Sequence, residues 1–179
     1  HRDHRKIVVI DGKVGYTGGM NIANYYIKGL PEIGDWRDMH VRIEGDAVNN
    51  LQDIFLTMWN KSTKQHIGGA MYYPLRNDSI DTGGKTVAIV DRVPRKSPKI
   101  MRRMYVKSLD AAQHKVQIVN PYFTPTHSIK KAIRRALKRG VEVEIMIPGK
   151  SDIPFTPDAA FYTSNKLRKK GAEIYIYNG

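Results

Sequence analysis

The 179-residue sequence predicts an α/β fold, in which a mixed sheet is flanked by helices. Its second half alternates short runs of β-branched residues with segments of helical apolar periodicity. Its first half opens with a strand pattern, a tight-turn dipeptide and a second strand pattern, which predicts a hairpin. These patterns together predict strands that are joined both by a hairpin and by crossover helices.

The first elements are predicted from local sequence. Lys6–Ile10 is a β-branched strand, and the dipeptide Asp11-Gly12 favours a tight turn into a return strand. Residues 20–34 are predicted to be a loop, and Asp35–Glu44 is predicted to be the next strand.

A long helix and a linker are predicted next. Asp46 is positioned to cap a helix that continues to about Lys61. The apolar stripe of this helix is predicted to be core and consists of Val48, Leu51, Ile54, Phe55, Met58 and Trp59. Residues 62–84 are rich in Gly, Ser, Thr, Asn and Asp and are predicted to join two lobes. Thr86–Asp91 is predicted to be a strand.

The remaining elements alternate. A helix is predicted from Ser97 or Pro98 to about Gln113. Strands and helices then follow in turn at Val116–Val119, Ser128–Arg139, Val141–Ile147, Asp158–Lys170 and Glu173–Tyr177. The second helix of this part has an apolar face that consists of Ile129, Ile133, Ala136 and Leu137.

The positive charge is concentrated in one stretch. The chain has a formal net charge of +13, and residues 85–140 hold 15 Lys or Arg against 2 Asp or Glu. This stretch therefore accounts for the whole net charge and predicts an anionic partner, either an acidic lipid surface or a nucleic acid backbone. Since neither a base-stacking platform nor helix-turn-helix spacing is visible, nucleic acid is the weaker alternative. The absence of cysteine excludes disulfides and thiolate metal sites.

A histidine and a lysine near the start are suited to phosphodiester chemistry. On a strand, His4 and Lys6 share a face, so an imidazole can act beside an ammonium that neutralises phosphate oxygens. Asn21 follows two glycines and could donate its amide to the same phosphate. Each residue alone also has an ordinary interpretation: His4 as a surface residue, Lys6 as a solvated charge and Asp11 as a turn residue.

The joint spacing is more specific than any of these residues. It has the form H-x-K-x-x-x-x-D-x-x-x-x-x-x-G-G-x-N and resembles the signature half-site of the phospholipase D superfamily. Its surroundings resemble those of bacterial cardiolipin synthases, and the resembling segments are Asp35–Gly45, Asn120–Pro125, Arg139–Val143 and Pro148–Asp152. The superfamily usually has serine at the position of Gly19, so one hydroxyl donor is lacking here.

The resemblance implies a fold and a set of roles. The fold would be phospholipase D-like, and the chemistry would need no metal or other cofactor. His4, Lys6, Asp11 and Asp38 would form the catalytic group, with His4 as nucleophile or general acid/base and Asp38 orienting its ring. Lys6 and Asn21 would bind the substrate phosphate. Asp38 has the alternative of an ordinary strand carboxylate paired with an arginine.

Only one half-site is present, although the superfamily uses two. We therefore expect an internal fragment, in which residues 1–78 are the end of a first lobe and residues 79–179 are the start of a second lobe. The isolated monomer is expected to be inactive, and a homodimer could pair two His4 residues. A further hypothesis is that residues 1–60 and 86–177 pack together as one permuted lobe.

The resemblance implies a phosphatidyltransferase at the bacterial cell membrane. It would condense two phosphatidylglycerols to cardiolipin and glycerol through a phosphohistidine, with phosphatidylglycerol and anionic membrane lipid as its partners. The alternatives are another phospholipase D-type phosphodiesterase, either a phospholipase or a nuclease, and a non-catalytic module that binds anionic membranes.

Overall fold

The computed structural model describes residues 3–74, 84–93, 96–97 and 99–178. The chain forms two compact units, one from residues 1–28 with 37–91 and the other from residues 29–36 with 92–179. The first unit contains an antiparallel sheet and the second a parallel sheet, so the predicted α/β class is confirmed. The predicted boundary between residues 78 and 79 lies outside the described residues, and the division into two lobes stays a prediction.

The first unit is built on a three-stranded antiparallel sheet of order β1-β2-β3. Its strands are β1 (Ile7–Ile10), β2 (Val14–Gly18) and β3 (His40–Glu44). A short helix, α1 (Tyr25–Lys28), lies between β2 and β3, and a long helix, α2 (Ala47–Thr63), follows β3. A 3₁₀ turn at residues 70–72 completes the regular structure that is described in this unit.

The hairpin between β1 and β2 has the predicted turn. Asp11 and Gly12 both have positive φ, at 51° and 65°, and the Lys13 N–H donates to the Ile10 carbonyl over 2.9 Å. Positive φ at both central residues is typical of the turn that matches the twist of a hairpin, which explains the preference for Asp-Gly.

One face of this sheet packs on α2. Gly15 is buried there, against the helix. A Cβ on it would lie 2.7 Å from the Leu51 side chain and 3.6 Å from that of Val48, so the close packing requires glycine. Gly15 pairs with Val9 and Ile43, so these three residues share the α2 face. Residues with the opposite parity, such as Tyr16, therefore lie on the other face.

Four expectations for this unit are corrected. The strand predicted over Asp35–Glu44 begins only at His40, because the Met39 N–H bonds to the Asp38 side chain. The predicted loop contains α1, and Thr86–Asp91 is not a strand.

In α2, Phe55 and Trp59 are 39% and 43% exposed, and their rings stack with centroids 5.8 Å apart. Leu56 and Gln52 are buried in their place, next to Val48 and Leu51.

The second unit is a parallel sheet of order β4-β5-β6 covered by helices. Its strands are β4 (Lys115–Val119), β5 (Glu142–Pro148) and β6 (Glu173–Tyr177). Its helices are α3 (Ile100–Ala111), α4 (His127–Lys138) and α5 (Thr156–Arg168). Each corresponds to a predicted element, with ends that differ by a few residues.

The core of this unit lies between the sheet and its helices. Burial alternates along β5, where Val143, Ile145 and Ile147 are buried. They cluster with Ile133 of α4 and Leu167 of α5, and the predicted apolar face of α4 is confirmed. Fully burying such a side chain contributes roughly 1.5–3 kcal/mol, so this cluster holds the unit together.

The permuted-lobe hypothesis is wrong for the described part of the chain. There β1 pairs with β2, and β2 pairs with β3. None of these three strands pairs with a strand of residues 86–177. None of the helices in the described ranges is long and apolar enough to cross a membrane.

Candidate functional site

Three strand ends meet at one end of the β1-β2-β3 sheet, which we call the site end. Because the strands are antiparallel, the start of β1, the end of β2 and the start of β3 coincide there. His4 and Lys6 precede β1, Asn21 follows β2, and Asp38 precedes β3. Four predicted site residues are therefore brought to the same edge by the register of one small sheet.

Lys6 and His4 interact directly. The Lys6 Nζ lies 3.1 Å from the His4 Nδ1 and also donates to the His4 carbonyl over 2.7 Å. Since an ammonium only donates, Nδ1 accepts this bond and a neutral ring carries its hydrogen on Nε2. This form can donate a hydrogen bond from Nε2, but only the doubly protonated imidazolium can protonate a leaving group. Nucleophilic attack through Nε2 would require the hydrogen to move to Nδ1, beside an acceptor such as a carboxylate.

Arg5 is the cation between these two residues, and it is already paired. Its guanidinium lies 2.7 Å from the Asp3 carboxylate and 2.9 Å from that of Asp91. The hydrogen bond from Arg5 lowers the pKa of Asp3. Within the described residues Lys6 has no carboxylate partner, so its charge is available to an anion.

Asn21 is held by an aromatic residue of α1. Its Nδ2 donates to the Tyr26 hydroxyl over 3.0 Å, and that hydroxyl donates to the Gly19 carbonyl over 3.4 Å. Burial raises the pKa of Tyr26. Tyr26 therefore holds the turn that presents Asn21, a contribution that was not predicted because this segment has the sequence of a loop.

Asp38 occupies the space that a side chain at position 19 would take. A Cβ on Gly19 would lie 2.0 Å from the Asp38 Oδ1, which accepts the Met39 N–H over 2.6 Å. The departure from serine thus has a steric reason. Among the described residues the carboxylate does not contact His4, and its orienting role stays a prediction.

Asp11 lies at the far end of the sheet. It is in the hairpin turn, five residues after Lys6, which is about 16 Å along an extended strand. A groove of about 510 Å³ along β1 and α2 is lined by Asp11 but not by His4 or Lys6. The structure does not bring Asp11 to the site end, and its catalytic role stays a prediction.

Basic residues at the α3–α4 contact and on the exposed face of α4 have different partners. The Arg135 guanidinium donates to both carboxylate oxygens of Asp110, over 2.9 and 2.8 Å, and lowers the pKa of Asp110. Arg139 donates to the Leu109 carbonyl over 2.8 Å. These two arginines join the helices. Lys131 and Lys138 are exposed seven residues apart on α4, hence on one face.

One acidic cluster has the geometry to hold a metal ion. Glu142, Glu144 and Glu173 offer oxygens that all lie within 4.8 Å of one another. The Lys115 ammonium already contacts two of them, over 2.9 Å at Glu142 and 2.7 Å at Glu144. These bonds raise the pKa of Lys115, so the cluster already contains a cation.

Comparison with known proteins gives similar chains over nearly the whole length. Cardiolipin synthase 1 of Staphylococcus aureus (strain COL) is 39% identical over 179 residues, which cover 99% of this chain and 36% of that protein. Cardiolipin synthase 2 of Staphylococcus epidermidis (strain RP62A) is 38% identical over 181 residues, with the same coverage. Cardiolipin synthase of Listeria monocytogenes serotype 4a is 36% identical over 180 residues.

The chain spans somewhat more than a third of the length of these curated relatives, 36% or 37%. Residues 105–179 match a family described as "Cardiolipin synthase, PLD-like domain". The fold of the second unit, a parallel sheet flanked by helices, is consistent with such a domain. The chain is therefore similar to cardiolipin synthases over nearly its whole length, and residues 105–179 match the phospholipase D-like domain of that family.

Proposed function

We propose that the protein of which this chain is part is a phosphatidyltransferase that makes cardiolipin from two phosphatidylglycerols. The observation that carries the proposal is the meeting of His4, Lys6 and Asn21 at the site end, with the Lys6 ammonium beside the His4 ring. The names of the relatives support a lipid phosphodiester as the substrate.

The proposed reaction has two transfers. In the first, a histidine nitrogen attacks phosphorus, the bond from phosphorus to the glycerol oxygen breaks, and glycerol leaves with a proton from a second histidine. In the second, the glycerol hydroxyl of another phosphatidylglycerol attacks the phosphohistidine and gives its proton to the second histidine, while the phosphorus–nitrogen bond breaks and releases cardiolipin. His4 is one of the two histidines, as nucleophile or as acid/base, and its partner belongs to a second half-site.

The chain's own residues would stabilise charge in both steps. The Lys6 ammonium and the Asn21 amide would contact the non-bridging oxygens, where negative charge grows as phosphorus becomes five-coordinate. Asp38 would accept a hydrogen from the His4 Nδ1, which frees Nε2 for attack. This requires the Lys6 ammonium to leave the His4 Nδ1, whereas the second carboxylate oxygen can accept the hydrogen while the first keeps the Met39 N–H.

Apolar residues around the site end favour a lipid over a nucleic acid. Met20 and Ile22 flank Asn21, Met39 follows Asp38, and all three apolar side chains are exposed. Exposed apolar side chains beside a phosphate-binding group suit an amphiphile, whose acyl chains continue from its phosphate. A nucleic acid backbone offers no such apolar continuation.

The basic helices support a second part of the proposal, attachment to an anionic membrane. Exposed cations of these helices outside the Arg135–Asp110 ion pair include Arg102, Arg103 and Lys107 on α3 and Lys131 and Lys138 on α4. Basic residues near an anionic surface contribute about 1 kcal/mol each. We therefore propose that the intact protein works at the bacterial cell membrane.

The test is product analysis with the full-length protein and labelled phosphatidylglycerol in anionic vesicles. His4→Ala should lower transfer below about a hundredth of the wild-type rate, as expected for the loss of a nucleophile or general acid. Asp38→Asn should lower it less, because an amide still accepts a hydrogen bond. His66, an exposed histidine of the same unit, provides the control: His66→Ala should keep full activity.

The products distinguish the alternatives. Cardiolipin and glycerol support the proposal, whereas phosphatidic acid alone indicates a phospholipase and cleaved DNA indicates a nuclease. Vesicle binding without any turnover indicates a membrane-binding module. A His4→Ala variant that retains transfer removes His4 from the reaction.

A further inference from the structure

A second histidine, His40, lies at the site end and was not expected there. It is the first residue of β3 and is paired with Gly18, the last residue of β2. Since Ile7 pairs with Thr17, continuing the antiparallel register by one residue places Lys6 beside Gly18. Lys6, Gly18 and His40 therefore form a row across the three strands.

This row lies on the sheet face away from α2. Alternation along β3 puts His40 on the side of Arg42 and opposite Ile43, which faces α2. The neighbouring row agrees with this assignment. Tyr16 and Arg42 are paired across β2 and β3, and the hydrogen bond between their side chains on this face raises the pKa of Arg42. Lys6 and His40 thus occupy the same face, and the Lys6 ammonium is bonded to His4.

The imidazole of His40 lies over Gly18. A Cβ on Gly18 would come within 2.6 Å of the His40 Nδ1, so the ring uses the space that a side chain of β2 would fill. Neighbouring strands are about 4.8 Å apart, which puts the Cα atoms of Lys6 and His40 roughly 10 Å apart. A long lysine and a ring inclined over the middle strand can both reach a group above that strand.

The two ring nitrogens of His40 differ. Nδ1 is buried and has no hydrogen-bond partner among the described residues, whereas Nε2 is not enclosed in this way. A buried N–H without a partner is less favourable than a buried lone pair, since orphaned donors are rarer than under-satisfied acceptors in folded proteins. The neutral ring therefore carries its hydrogen on Nε2, which makes Nε2 the donor of this ring at the site end.

We propose that His40 is a phosphate-binding residue of this half-site, with its Nε2–H donating to a non-bridging oxygen of the phosphodiester that Lys6 neutralises. The identity of that phosphodiester rests on the proposed function. The ring adds a neutral donor to the charge of Lys6 and the amide of Asn21, so three strand ends contribute one contact each to the same group.

The test compares three variants of the full-length protein: His40→Gln, His40→Asn and His40→Leu. A glutamine amide can replace a donor at Nε2, an asparagine amide reproduces only the position of Nδ1, and leucine offers no donor. Two quantities are measured: the affinity for inorganic phosphate by ³¹P NMR titration, and KM and kcat for phosphatidylglycerol in mixed vesicles.

The asparagine and leucine variants should each bind phosphate about tenfold more weakly and have a KM about tenfold higher. This corresponds to the loss of one hydrogen bond to a charged group. Gln should stay within about threefold of wild type in both. His66→Asn is the control and should change neither quantity. The ratio between Gln and Asn remains decisive if the leucine variant does not fold.

The inference is overturned if Gln and Asn behave alike, or if Asn is the better replacement, because then Nε2 is not the donor. The phosphate titration separates this inference from the proposed function. If His40→Gln binds phosphate more tightly than His40→Asn but the wild-type protein makes no cardiolipin, the result supports His40 as a phosphate-binding residue and contradicts the proposed transferase activity.

Discussion

Gly19 and Asp38 allow a quantitative test of the site end. Restoring a side chain at position 19, as the superfamily signature usually has, brings a Cβ to 2.0 Å from the Asp38 Oδ1. Ordinary contact begins at 3.4 Å, so the carboxylate must move by about 1.4 Å. Gly19 does not have a positive φ, and alanine there meets only this steric obstacle.

The expected magnitude follows from the hydrogen bond that the movement breaks. Asp38 accepts the Met39 N–H over 2.6 Å, and a typical hydrogen bond contributes about 1 kcal/mol net. Gly19→Ala should therefore lower the free energy of unfolding by about 1 kcal/mol, and Asp38→Ala by a similar amount. The double variant should lose no more than Asp38→Ala alone, which gives a coupling of about 1 kcal/mol.

Urea unfolding of the chain, followed by circular dichroism, measures the three variants. Hydrogen exchange of the Met39 amide gives a local measure, and its protection should fall in all three. Gly68→Ala is the matched control: a Cβ there meets nothing within 4 Å, so its effect should stay within about 0.5 kcal/mol. Additive losses in the double variant would refute the contact between Asp38 and position 19.

Two further predictions concern surface charge and alkaline pH. The pair Lys131→Gln and Lys138→Gln should weaken binding to phosphatidylglycerol vesicles at low salt by up to about thirtyfold, measured by cosedimentation. Arg135→Gln should leave vesicle binding unchanged and lower the Tm, and equal losses of binding would contradict this division. Bonding to Asp53 raises the pKa of Tyr73 to about 12, so this stabilisation is present below pH 10 and is lost as the pH rises toward 12. In an alkaline titration followed by absorbance at 295 nm, wild type should show a tyrosine that ionises near pH 12, and Tyr73→Phe should lack it.

Local sequence was sufficient to predict the hairpin and the second unit. The Asp11-Gly12 turn depends on the φ preferences of two adjacent residues, and the apolar face of α4 depends on spacing within twelve residues. Both are short-range properties. The first unit was predicted less well where a feature depends on distant partners. Thr86–Asp91 has strand composition but pairs with no strand in the described residues, since β-propensity alone does not supply a partner.

The site was predicted incompletely for the same reason. His4, Lys6 and Asn21 were predictable because their spacing is a pattern within one segment. His40 was missed, since its position beside Gly18 depends on how β2 and β3 pair across a 21-residue connection. A glycine that ends one strand, opposite a histidine that begins the next, was the available signal.

The register also explains why the spacing of the signature has to be kept. From Lys6 the chain runs along β1, turns at Asp11 and returns along β2 to Gly18, so the interval between the lysine and the glycines is one complete hairpin. Removing one residue from either strand would move the side chains beyond it to the other face of the sheet. Lys6 would then lose its position beside His40. The aspartate of the signature lies where the chain needs positive φ, and it can serve the site from the far end by fixing the length of this hairpin.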